Sequence, residues 1–344
     1  MARPEQLPSP EQSPETMDVG AATIASELHP ESNEDSLFVR KGEGFFGIFD
    51  GVGGEAAGDV ASAEASKSIL SKLETLEENF TLPEMREDLR KAVENANDHL
   101  LQLSSQHSEL RGMGTTACIA KIVNGKQGER HVVVANIGDS RAYIVKPDGR
   151  MLQITLDDNI LKRDALDEAW VLQKKLNEVT SPTQLTAREL HFFENINRID
   201  CLGARRVEVS TYTARMSPGD NLLLTTDGVS DNLTDSEMGD ILASSDNTEQ
   251  ATEALTRAAQ QRSRENHFRA KPDDMSVILI EFMPRGLLPY VGRSLNVRRS
   301  SGVFDIGWKV HSYDYASGYV TVIKEEGKNI LSKEILAQEL TENN

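Results

Sequence analysis

Acidic residues recur at the ends of apolar runs in this 344-residue chain, a placement that suits metal-assisted chemistry. In FFGIFDGVGGEAAGDVAS, residues 45–62, an apolar stretch stops at Asp50, and Gly51, Gly53 and Gly54 follow. LLLTTDGVSD puts Asp227 after another such stretch and before Gly228, and VVVANIGDSR puts Asp139 after a third. KPDDMSVILI sets Asp273 and Asp274 before a fourth, and SNEDSLFV sets Glu34 and Asp35 before a fifth. An ionised carboxylate at the end of a buried strand is costly unless it is paired. A glycine beside it leaves the backbone open, so Asp50 and the Gly51 carbonyl offer two hard oxygen ligands suited to Mg2+ or Mn2+. Taken singly, an Asp-Gly is as readily a turn, SNED a loop edge or cap, and GDSR a hairpin turn with a surface ion pair. Should the strand ends converge, the carboxylates would meet at one place, and bound cations would have to neutralise them.

The groups need a scaffold of strands. SLFVR (36–40) and GFFGIFD (44–50) read as a hairpin, as do TTACIAKIV (115–123) and RHVVVANIGD (130–139) across NGKQGE. RAYIVK (141–146) and RMLQIT (150–155) pair around PDG, and NLLLTTDG (221–228) and DMSVILIEF (274–282) complete the set. Long amphipathic helices are expected over 55–79 and 82–106, the second with Pro83 in its first turn. TDSE at 234–237 has capping-box form, and another helix is expected over 247–266. Neighbouring strand pairs with helices grouped between them indicate an α+β class, antiparallel sheets covered by helices.

Residues 1–17, rich in Pro, Glu, Gln and Ser, read as a disordered tail. Residues 18–283 hold the regular scaffold, with 157–200, polar and without a clean period, as a lid or flap-like insertion. Residues 284–301 read as a linker carrying Arg285, Arg293, Arg298 and Arg299, and 302–344 as a small β-rich module in which KEILAQEL forms a short helix. Trp308, Tyr313, Tyr315 and Tyr319 supply either the core of that module or a peptide-binding surface.

The formal charge of −18, from 37 basic and 55 acidic residues, argues against nucleic acid and anionic membrane as partners. Two cysteines, Cys118 and Cys201, are too few for a disulfide framework or a thiolate metal site, and both read as interior residues. The N-terminus has no signal-like apolar segment, and no run reaches the ~18 apolar residues of a membrane span. These features together indicate a cytoplasmic protein.

SNEDS, FGIFDGVGGEAAG, GMGTTACIAKI, VVVANIGDSRAYIV, GDNLLLTTDGVSD and KPDDMSVILI follow one another in an order that resembles the metal-dependent protein phosphatases of type 2C, of the bacterial kind. The resemblance spans roughly residues 18–283 and implies a four-layer αββα sandwich, two central antiparallel sheets flanked by helices. It implies hydrolysis of phosphoserine and phosphothreonine on proteins, in opposition to a protein kinase, by a water activated between two Mn2+ or Mg2+ ions, with no covalent enzyme intermediate. Asp50 would bridge the ions, the Gly51 carbonyl would bind one, and Asp227 and Asp273 would hold the other. Asp139 with Asp227 would hold a third, weaker ion. Glu34 and Asp35 would hold metal-bound waters, and Asp274, where Asn is common, would act from behind the ligands.

Two positions depart from the family pattern. The Arg that grips the substrate phosphate would stand at Pro30, preceded by His29, and neither can form a bidentate clamp. Lys162 or Arg163 in the lid are the candidate substitutes. Val52 stands where some members carry a His that protonates the leaving alcohol. The missing Arg and the added C-terminal module leave an alternative, a weak or inactive phosphoprotein-sensing scaffold on the same fold.

Overall fold

The computed structural model describes residues 15–52, 57–76, 80–124, 130–159, 162, 164, 168–195, 199–217, 219–284 and the strands between 295 and 342. In chain order the strands are β1 (Glu15–Ile24), β2 (Ser36–Arg40), β3 (Phe45–Phe49), β4 (Gly51–Val52), β5 (Gly114–Thr115) and β6 (Ala117–Asn124). There follow β7 (Arg130–Ile137), β8 (Arg141–Val145), β9 (Met151–Gln153), β10 (Ser210–Met216), β11 (Asn221–Thr225) and β12 (Met275–Pro284). One antiparallel sheet has the order β1-β12-β11-β8-β9 and the other β10-β7-β6-β3-β2.

Side-chain alternation explains the layering, because successive residues of a strand face opposite ways. Phe46, Ile48, Cys118, Ala120, Val132 and Val134 of one sheet meet Ala142, Ile144, Leu222, Leu224, Ile278 and Ile280 of the other in one apolar cluster. The residues between them face outward: Ile119, Val133, Ala135 and Ile137 pack on helices α1 (Gly58–Leu73) and α2 (Leu82–Gln106). Tyr143, Leu223, Val277 and Leu279 pack against Met238, Ala251, Leu255 and Ala259 of the helices Asp235–Ser244 and Thr248–Ser263. Strands buried on both faces read as nearly continuous apolar runs, so the sandwich has four layers, helix, sheet, sheet, helix. Among the described residues, capping boxes start three of the α-helices: Thr81 with Glu84 ahead of α2, Thr186 with Glu189 ahead of Ala187–Glu194, and Thr234 with Glu237 ahead of Asp235–Ser244.

Several expected boundaries move. Strand β1 already begins at Glu15, inside the expected tail of 1–17, because it pairs with β12 from Glu15↔Pro284 to Ile24↔Met275; residues 1–14 lie outside the described residues. Helix α1 ends at Leu73 rather than 79. Among the described residues, the segment 157–200 carries the α-helices Ala169–Asn177 and Ala187–Glu194 on a small core of Leu156, Ala169, Leu176 and Phe192. Strand β13 (Leu295–Arg298) falls within the expected linker of 284–301, where it pairs with β14 (Phe304–Asp314). With β15 (Tyr319–Glu326), β16 (Asn329–Leu336) and β17 (Leu340–Glu342) these form a third sheet, β16-β15-β14-β13-β17. The expected helix over KEILAQEL is overturned: Lys333–Leu336 end strand β16, held by the hairpin register Glu326↔Asn329 to Tyr319↔Leu336. Pairing with a neighbour outweighs a weak helical preference there. Arg285, Arg293, Arg299 and Tyr315, and the side chains of Arg298, Trp308, Tyr313 and Tyr319, lie outside what is described. Among the described residues no helix is long and apolar enough to cross a membrane.

One cross-strand pair opposes two acids, Asp18 on β1 and Glu281 on β12. Burial first, and the Asp18 charge second, push the Glu281 carboxyl up to about 7. The folded state therefore holds this proton more tightly than the unfolded chain does. Its contribution to stability falls as pH rises from the ordinary glutamate value through about 7. Glu281→Gln should raise the melting temperature at pH 8 by a few degrees, roughly 1–3 kcal/mol, and change it little at pH 5. An equal effect at both pH values would refute the assignment.

Candidate active site

The acidic strand ends gather at one end of the sandwich, where the two sheets meet. Asp35 and Asp50 flank β2 and β3 of one sheet, Asp227 and the pair Asp273–Asp274 flank β11 and β12 of the other, and Asp139 lies on the crossover from β7 to β8. Asp35, Asp50, Asp139, Asp227 and Asp274 are buried.

Local hydrogen bonds hold each group. The Asp50 backbone is closed by two threonines: Asp50 N donates to Thr116 Oγ1 at 2.9 Å, while Thr116 N and Thr115 Oγ1 both donate to the Asp50 carbonyl at 2.8 Å. Thr116 Oγ1 lies 2.7 Å from Ser140 Oγ, which ties the Asp50 and Asp139 loops together. Gly138, at a φ of 99°, makes the turn ahead of Asp139 that an L side chain would strain. Thr226 Oγ1 donates to Asp35 Oδ2 at 2.9 Å and accepts from Ser276 N at 2.9 Å. Asp227 opens a short helix, Asp227–Ser230, rather than the turn that Asp-Gly suggests alone. A side chain at Gly51 is impossible, because a Cβ there would stand 2.3 Å from the Gly58 carbonyl oxygen and 2.6 Å from that of Glu34.

The electrostatics reflect crowding. Burial, then the charges of Asp227 and Asp35, hold the Asp50 carboxyl well above the usual range. The Asp50 and Asp227 carboxyls shift each other in opposite directions. Burial opposes the Asp227 charge, but the Lys271 ammonium and, after it, the neighbouring Asp50 carboxyl outweigh it and keep Asp227 below its ordinary value. Burial and the Asp227 charge push Asp273 up to about 7. Burial likewise raises Asp35 and Asp139. Asp35 Oδ1, Asp139 Oδ1 and Asp227 Oδ1 are buried with no hydrogen-bond partner.

Two of the expected residues stand apart. Asp274 spends both oxygens on backbone amides, Ser26 N at 2.5 Å and Glu34 N at 2.6 Å, and so fastens the loop before β2 to β12. The Glu34 carboxyl lies against Gly58 at the start of α1, where burial raises its pKa and His29 lowers it. Pro30 is exposed, and His29 Nδ1 contacts the Ser32 carbonyl at 2.8 Å and Asp274 Oδ1 at 3.7 Å. Lys162 is engaged by Asp158 and, at 2.7 Å, by Ser210 Oγ; Arg163 lies outside the described residues. Neither cysteine is activated: burial raises the Cys118 thiol strongly and pushes the partly exposed Cys201 up to about 11.

Three residues of the site were missed in the sequence. Lys271 extends its ammonium among Asp227, Asp231 Oδ2 at 3.1 Å and Asp273 Oδ2 at 3.3 Å. Asp231 lies one helical turn after Asp227, a spacing that puts both on one face and could have marked it. Lys271 lies two residues before Asp273, where an extended chain points both the same way. Arg141, read from GDSR as a surface partner, is 2% exposed and grips Asp157 with Nη2 at 2.7 Å. Among the described residues no three His, Cys, Asp or Glu side chains already form a metal-binding set, and the cation standing among these carboxylates is Lys271. A cavity of about 170 Å³ opens beside Lys271 and Asp231, bounded by Arg141, Phe193 and Phe268. Phe193 of the 157–200 segment stacks on Phe268 at 4.3 Å, bringing that segment against the site.

Comparison with known proteins agrees with this geometry. Residues 29–270 match the family Protein phosphatase 2C. The serine/threonine phosphatase stp of Listeria welshimeri is 29% identical over 236 residues, 68% of this chain and 82% of that protein. A bacterial serine phosphatase of known structure superposes with a TM-score of 0.61 at 25% identity, over 77% of this chain and 97% of its own. The catalytic domain of the phosphatase PstP, solved in complex with two manganese ions, shares the fold with a TM-score of 0.60 at 23% identity, over 78% of this chain and all of its own. Carboxylates gathered from both sheets at one edge of an αββα sandwich, within a match running from His29 to Ala270, place the chain in the protein phosphatase 2C family of metal-dependent serine/threonine phosphatases.

Proposed function

We propose that this protein removes phosphate from phosphoserine and phosphothreonine of proteins in the cytoplasm, opposing a protein kinase, with two Mn2+ or Mg2+ ions held by Asp50, the Gly51 carbonyl, Asp227 and Asp273. The observation that carries the reading is the convergence of buried aspartates whose oxygens at Asp35, Asp139 and Asp227 lack partners. Buried acceptors are ordinarily satisfied, and hard oxygens with unspent lone pairs suit these ions. Asp50, crowded by Asp227, Asp35 and Asp273, fits a bridging role that divalent charge would relieve. Asp139 stands with Asp227 at the position that the family resemblance gives to a third, weaker ion. Asp35, with Oδ2 on Thr226 and Oδ1 free, and Glu34, at the entrance to α1, fit contacts through water. Asp274 fits a positioning role, because its oxygens already hold two amides.

When bound, the ions supply Lewis acidity that acidifies a water and neutralises the phosphoryl oxygens. The chain does the positioning: Thr115 and Thr116 fix Asp50, Thr226 fixes Asp35, and Ser140 couples the Asp50 and Asp139 loops. The stacked Phe193 and Phe268 support 157–200 as a flap beside the site.

The test is phosphate release from a phosphothreonine peptide by the full chain. Activity should vanish after chelation and return on adding Mn2+. A metal-loaded chain that releases no phosphate above background would overturn the reading.

A further inference from the structure

We propose that Lys271 is a tethered cation that takes the third-ion position of this site, so that the enzyme binds two divalent ions instead of three. The inference rests on the functional reading above. It begins with the main chain. Lys271 N donates to Asn232 Oδ1 at 3.0 Å, and Asn232 Nδ2 donates back to the Lys271 carbonyl at 2.8 Å. The same amide donates to the Gly228 carbonyl at 2.8 Å, and Asn232 is fully buried. Lys271 is thereby locked to the turn that carries Asp227 and Asp231, and its side chain is launched from a fixed point.

From that point the ammonium meets three carboxylates: Asp227 Oδ2, Asp231 Oδ2 at 3.1 Å and Asp273 Oδ2 at 3.3 Å. An ammonium offers three donors and no acceptor, so three acidic oxygens match its full capacity. The contact takes only one oxygen of Asp227. Asp227 Oδ1 remains buried and unpartnered, free for an ion. On the far side Asp231 Oδ1 is 3.9 Å from Arg141 Nη2, so Asp231 already faces two cations. A third divalent ion sought by Asp139 and Asp227 would enter against the Lys271 charge. A unit charge at about 4 Å in a partly buried site is worth tenfold or more in affinity.

Metal counting tests this apart from catalysis. Full-length protein stripped of metal is titrated with Mn2+, the bound ions being counted by calorimetry and by the loss of the free Mn2+ resonance signal. Wild type should bind two ions, and Lys271→Met should gain a third, weaker one whose affinity exceeds any third site of the wild type by about tenfold or more. Lys271→Arg should stay at two, and Asp139→Asn combined with Lys271→Met should lose the gained ion. A third ion on the wild type overturns the proposal whether or not the variants fold, and so does a folded Lys271→Met that stays at two. Wild type that binds no Mn2+ at all would overturn the functional reading as well.

Discussion

Asp50→Asn is expected to lower kcat/KM by ~10³-fold or more while the metal-free protein keeps or gains stability. Lewis-acid stabilisation contributes several kcal/mol to such a transition state, and each ~1.4 kcal/mol is tenfold in rate. Asp50 is the group proposed to bind both ions, so its loss removes most of that contribution. Stability moves the other way for an electrostatic reason. Asp50 is buried and crowded by the charges of Asp227, Asp35 and Asp273. An amide in place of the carboxyl adds no charge to that cluster. Steady-state kinetics on a phosphopeptide and thermal melts after chelation check the two halves. Retained turnover would remove Asp50 from the catalytic site, and a large loss of stability would mean that its carboxylate is structural.

Arg141→Met should cost about 3–5 kcal/mol, the usual penalty when one partner of a buried ion pair is left alone. Arg141 donates from Nε at 3.0 Å to Asp157 Oδ1 and from Nη2 at 2.7 Å to Asp157 Oδ2, and Asp157 is fully buried. Gln173 Nε2 adds a bond to Asp157 at 2.6 Å, yet an amide cannot balance the charge. Adding Asp157→Leu to the Arg141→Met chain should recover most of the loss, because apolar replacement of both partners is often close to neutral. Urea unfolding of the two chains measures this. A single variant within ~1 kcal/mol of wild type would show that water reaches Asp157 and that the pair contributes little.

These two residues illustrate what could be read from the chain. Asp50 announced itself because its neighbours are informative: a strand of five apolar or small residues ends at it, and a glycine follows. The GTT motif at 114–116 was legible as a family feature, but its purpose, closing the Asp50 backbone, needed the pairing of β3 with β6. Arg141 gave no such sign. Its partner lies sixteen residues away, beyond the β8–β9 hairpin, so a short word such as GDSR suggested a surface bridge. Helix α2 started at Leu82, as Pro83 indicated, and the Thr81–Glu84 capping box there is settled within four residues. KEILAQEL went the other way, because the pairing of β15 with β16 is decided by a partner strand.

By itself the sequence determined the α+β class, eight of the ten strands of the two large sheets (β1 and β10 excepted), the starts of the helices at 82, 235 and 248 and the list of acidic groups, because period-two burial, capping and turns are short-range properties. Tertiary structure alone decided that five strand ends share one pocket, that Asp274 serves the backbone, and that Lys271 and Asp231 belong to the site. Charge is felt through space, and neighbours brought together from opposite sheets leave no local trace in the chain.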